Sequence, residues 1–177
     1  MKKDYTIAVR RAGVGGTPQI CQDALIEMLE ALFAGKKYTG QEGRKELQII
    51  KQNLPIPKRQ RDRTADTGEA AAPYILVEMN EGAILDDDSP QIVEFSLVIC
   101  CYDKGTDNEG CQDVANIKED IIQRICARPY FGGAFTILKP ITWALQKDRT
   151  PPYYFGAVTM NCTAPAMTQD TEMEVLV

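Results

Sequence analysis

The chain has 177 residues, 44% of them apolar, which is enough to bury the core of one domain of ordinary size. Its 20 Lys and Arg against 25 Asp and Glu leave a net charge of -5, so the average surface lacks the electropositive field on which nonspecific nucleic-acid binding depends. Histidine is absent, which removes the commonest general base, the commonest metal ligand and the usual base partner of a Ser or Cys nucleophile, and the expectation is a non-enzyme without cofactor or metal.

In chain order, Gly13-Val14-Gly15-Gly16 reads as a flexible lead-in, with Thr17 as N-cap and Pro18 at the first helical position. Ile20, Ala24, Leu25, Met28, Leu29, Leu32 and Phe33 then recur at helical spacing until Gly35, which predicts a helix over 17–34. A polar connection over 36–45 leads to a short strand over 46–52, closed by Asn53-Leu54-Pro55. Residues 56–72 carry dense charge without apolar periodicity, and read as a mobile basic loop or arm between the first two strands. Strands follow over 74–81 and 91–102, joined as an antiparallel hairpin through the acidic turn Asp86-Asp87-Asp88.

A second helix is expected over 110–127, with Val114, Ile117, Ile121 and Ile125 on one stripe and Arg128-Pro129 at its end. Two more strand regions occupy 135–145, running through Pro140, and 153–162. The whole reads as a single α+β domain over 1–177, in the order α-β-β-β-α-β-β, with a core over 73–165 and an acidic tail over 166–177. Its mostly antiparallel, twisted sheet carries both helices on one face. No apolar run approaches the roughly 20 residues of a membrane span, and no secretory signal opens the chain, so a soluble protein made in a cytoplasm is expected. The six cysteines form no CxxC pair and read as reduced core residues.

Candidate chemistry is sparse. The glycines before the first helix lack the Gly-Lys-Ser/Thr ending of a phosphate loop, and flexible capping explains them. Asp86, Asp87 and Asp88, or Asp103, Asp107 and Glu109, offer carboxylates to a hard cation without the spacing of a calcium loop, and solvated acidic turns explain both. Lys58, Arg59, Arg61 and Arg63 form the basic cluster of the arm: a solvated loop, a dock for an acidic protein surface, or a phosphate contact with no aromatic residue interleaved for stacking. Trp143, Tyr153, Tyr154 and Phe155 suit core and cross-strand packing, or for some of them a binding face. Glu78, Glu94 and Asp103 are the carboxylates that a metal-dependent enzyme would have to use.

Several stretches carry a resemblance: Pro73-Tyr74-Ile75-Leu76-Val77, Ile99-Cys100-Cys101-Tyr102-Asp103, Ile117-Lys118-Glu119-Asp120-Ile121, Pro140-Ile141-Thr142-Trp143-Ala144-Leu145 and Pro152-Tyr153-Tyr154-Phe155-Gly156-Ala157-Val158. Together they resemble the tail terminator (tail completion) proteins of long-tailed bacteriophages, and look also like relatives in the head–tail neck. The resemblance implies a virion protein of tail or neck, assembled in the bacterial cytoplasm as a homo-oligomeric ring, usually a hexamer. Such a ring stops polymerisation of the tail tube protein, meets a head-completion protein, and surrounds a channel through which DNA passes. A head-completion or neck connector is the alternative within the same class. The connection over 36–72 and its basic arm map onto no motif of that family.

Overall fold

The computed structural model describes residues 16–54, 72–86, 89–147 and 151–166. The elements are α1 (Pro18–Phe33), β1 (Lys37–Gly40), β2 (Gly43–Glu46), β3 (Gln48–Lys51), β4 (Tyr74–Ala83), β5 (Gln91–Tyr102), α2 (Glu109–Ala127), β6 (Tyr130–Phe131), β7 (Phe135–Leu145) and β8 (Tyr153–Ala164). This is the expected α+β class, with three more strands than the sequence pattern predicts. Six strands form one sheet in the order β3-β4-β5-β8-β7-β6, antiparallel except for the β3–β4 pair, while β1 and β2 make a separate hairpin.

Helix α1 begins as its sequence dictates. The Thr17 hydroxyl accepts from the Ile20 N–H at 3.3 Å, Pro18 fills the first turn, and Gly35 takes the left-handed conformation that ends the run. Helix α2 is capped from a distance. Its flanking Asn108 is left-handed and makes no side-chain cap. Instead Asp103, just past the end of β5, accepts from the Gly105 N–H at 2.7 Å and the Gly110 N–H at 3.0 Å. The carboxylate therefore fastens the first turn of α2 to the strand that precedes it.

Alternation sorts the strand residues onto two faces. Val93, Phe95, Leu97, Ile99 and Cys101 of β5, with Ile75 and Val77 of β4 and Val158, Met160 and Cys162 of β8, pack against Leu25, Leu29 and Phe33 of α1 and Val114, Ile117, Ile121 and Ile125 of α2. Both helices thus cover one face, and each fully buried Leu, Ile or Phe there contributes roughly 1.5–3 kcal/mol. The opposite face carries a second cluster of Tyr74, Leu76 and Cys100, flanked by Ile50, Val98, Tyr102, Tyr153 and Phe155.

The stretch expected as a polar connection is the β1–β2 hairpin, with Tyr38 and Thr39 buried. The buried Asp113 of α2 anchors it, accepting from the Thr39 N–H at 2.8 Å and from Arg44 at 3.4 Å. Strand β3 stops where Gln52 turns into the left-handed region at φ 64°. The Gln52 amide then takes over from the backbone: its oxygen accepts from the Met79 N–H at 3.0 Å and its nitrogen donates to the Met79 carbonyl at 3.2 Å. Buried Gln22 of α1 donates to that same oxygen at 2.9 Å and to the Val77 carbonyl at 2.8 Å, so both amides are paired as burial demands.

Four of the six cysteines are buried, as expected, but Cys111, in the first turn of α2, and Cys126, in its last and off the isoleucine stripe, lie exposed. All six are free thiols. Burial pushes the Cys100 thiol up to about 11 and the Cys101 thiol higher still, so both stay protonated and inert at neutral pH.

Candidate assembly surfaces

Two opposite edges of the sheet present features that its interior does not need. On one, the β4–β5 hairpin runs past the last residue of β3 and bulges between Met79 and Gly82. Its outer face is polar: Asn80 donates to Glu94 and to the Ser96 hydroxyl, each at 2.9 Å, and Ser96 lies 3.3 Å from the Thr159 hydroxyl. Beyond this ladder, at the tip, Ile84 is 53% exposed and Leu85 73%. Glu81 and Asp86, both exposed, flank them.

On the other edge, β6 pairs with only two residues of β7, and the remainder of β7 has no further strand beside it among the described residues. Tyr130 is 70% exposed and Trp143 55%. The Lys118 ammonium sits 4.3 Å from the Trp143 ring centroid, a cation–π contact that holds the indole against α2. Between α1 and β6 lies a groove of about 320 Å³, with Ala24, Ala31, Leu32 and Phe131 among its apolar lining and Glu27 and Arg124 among its charged lining.

The groove depends on one glycine. Gly132 has φ +58°, and a Cβ there would lie 2.5 Å from the Ala24 Cβ and 3.0 Å from the Phe135 ring. Gly132→Ala is expected to cost roughly 2–4 kcal/mol, from left-handed strain plus overpacking against α1. Adding Ala24→Gly relieves the contact, so by urea melts the double variant should lose less than the two single variants together. Because a glycine inside α1 itself costs about 1 kcal/mol, Ala24→Gly alone is the reference, and losses that simply add in the double variant would show that backbone strain sets the cost.

Of the candidate residues in the acidic turn and basic arm, only Asp86 lies among the described residues. Asp86 is on the exposed hairpin turn, where its carbonyl accepts from the Ser89 N–H at 3.3 Å. Asp87 and Asp88, and the basic cluster Lys58, Arg59, Arg61 and Arg63, lie outside the described residues. Asp103, Asp107 and Glu109 form no cation site: the Asp103 oxygens are taken by backbone N–H groups, and Asp107 accepts from the Glu109 N–H at 3.5 Å. No group of metal-ligating side chains occurs among the described residues. Asp103 follows Glu94 by nine positions along the line of β5, roughly 30 Å at the strand rise, so these two carboxylates share no site.

The aromatic group divides by parity. Tyr154 is buried under α2, while Tyr153 and Phe155 face the opposite side, Tyr153 edge-on to Tyr102 at 4.9 Å between centroids. Sequence reading missed the groove and the apolar tip. Ile84-Leu85 was the available signal, two large apolar residues in a segment whose other members suit a turn. No helix among the described residues is long and apolar enough to cross a membrane. No protein-family model and no curated protein matches the sequence.

Proposed function

We propose that the chain is a structural ring subunit of a tailed-phage particle: a tail terminator that closes the head-proximal end of the tail tube, stops its polymerisation and joins tail to neck. One observation carries this reading. The stretches that resemble the terminator family fall on β4, β5, α2, β7 and β8, which form the four central strands of the sheet and one of its covering helices. An apolar tip on one edge and an apolar groove on the other also suit subunits that must join through two different surfaces, as ring closure requires. The reading makes the partners further copies of the chain, the tail tube protein and a head-completion protein, with DNA passing through the ring.

Light scattering with negative-stain imaging should give a ring of hexamer mass, and the purified protein should stop growth when added to polymerising tube protein. A chain that is monomeric at every concentration and leaves tube growth unaffected would overturn the proposal. Rings that bind finished tails without stopping polymerisation would instead identify a neck connector.

A further inference from the structure

The hairpin tip and the groove lie at the two ends of one row across the sheet. Ala83 of β4 pairs with Ile92 of β5, Ile92 with Thr163 of β8, Thr163 with Thr136 of β7, and Thr136 with Tyr130 of β6. Ile84 and Leu85 follow the first residue of this row, and Phe131, which lines the groove, follows the last. The two features are therefore level with each other, four strand spacings or about 20 Å apart, on opposite edges. A displacement along the row carries the tip of one copy to the groove of the next without shifting it up or down the strands.

Charge follows the same division. Glu81 and Asp86 stand beside the exposed tip. Arg124 lines the groove and Arg128, exposed, ends the helix next to it, against the single acid Glu27. A helix C-terminus bearing two arginines and an apolar recess suits an apolar knob with acidic shoulders.

The geometry points to a head-to-tail contact in which Ile84 and Leu85 of one copy seat in the α1–β6 groove of the next, with Glu81 and Asp86 brought to the Arg124–Arg128 side. It rests on the ring reading above and names the surfaces that build the ring. Because knob and recess are different patches on one molecule, the pair formed by a single contact still presents one unused knob and one unused recess, and assembly continues until a ring closes. The tip contributes two large side chains that are more than half exposed in the single chain, the kind of surface whose burial drives association.

Two variants separate the halves of the contact. Ile84→Lys/Leu85→Lys spoils the tip and leaves the groove; Ala31→Trp fills the groove from an exposed helix position and leaves the tip. Each alone should be at least 10-fold weaker in self-association by light scattering, with a far-UV spectrum and thermal midpoint close to the parent. Mixed in equal amounts, they should form a one-to-one dimer and nothing larger, since only one productive tip and one productive groove remain. Parent rings with both variants still assembling as rings would overturn this contact and leave the ring reading standing. Two monomeric variants whose mixture stays monomeric would also overturn it, since a tip that meets the groove must complement. A parent that never assembles overturns both.

Discussion

Phe95→Ala should lower stability by about 3–5 kcal/mol, the cost of emptying an aromatic-sized site in a close-packed core. Phe95 is fully buried on β5, opposite Met160 of β8 on one side and Met79 of β4 on the other. Both flanking strands are held at this level, so the backbone has little freedom to close the cavity, which places the loss in the upper part of that range. For a chain of this length the thermal midpoint should fall by roughly 6–20 °C. In urea the midpoint should drop with no change of slope. Val98→Ala, on the other face of the same strand and only partly buried, should cost about 1 kcal/mol. Equal losses for the two would contradict the assignment of the helix-covered face.

Asp113→Ala is the second large effect, at about 2–3 kcal/mol, and its origin can be resolved. The carboxylate has two kinds of partner: the buried Thr39 N–H at 2.8 Å, and Arg44, half exposed, at 3.4 Å. An ion pair to a side chain so open to water contributes at most about 1 kcal/mol. A buried N–H left without an acceptor costs about 1–3 kcal/mol. The backbone bond therefore dominates, and Asp113→Asn, which keeps an acceptor oxygen, should lose less than half as much. Hydrogen exchange should show β1 and β2 losing protection first while the isoleucine stripe of α2 stays protected. A loss that vanishes in high salt would instead assign the effect to Arg44.

These two sites mark how far sequence reading reaches. Phe95 sits in the series Val93, Phe95, Leu97, Ile99 and Cys101, whose spacing of two places all five on one face of a strand, while Val98 and Cys100 between them join the cluster on the other face. The same clarity holds for the isoleucines of α2 and for the Thr17, Pro18 and Gly35 signals that bound α1. The β1–β2 hairpin gave no such pattern. Of its eight residues only Tyr38 and Thr39 are buried, and it is held by a carboxylate more than sixty positions away, which no local periodicity records. Strand β6 is two residues long and exists only through its pairing with β7, and the parallel β3–β4 pair depends on where the chain returns after residue 71.

The hairpin tip and the groove were legible in part. Acidic Asp86 was visible as a turn residue, but the row that carries its hairpin to the far edge is a property of four successive strand registers. Arg124 likewise reads as an ordinary charge at the end of a helix until the Phe131–Gly132 turn folds beside it to line a groove. Fold class emerges from local periodicity. Surfaces built from residues a hundred positions apart do not.

The Gln52 amide has a consequence for solubility. A long, straight β-edge invites foreign strands to add to it, and natural sheets must limit that hazard. By bonding both backbone groups of Met79, one side chain extends the protection of β3 beyond the strand's own last residue. What remains accessible on β4 begins at Asn80 and is interrupted by the bulge before Gly82, too short and too irregular to template an indiscriminate stack. This edge of the sheet is thus closed to indiscriminate growth while the hairpin tip stays exposed.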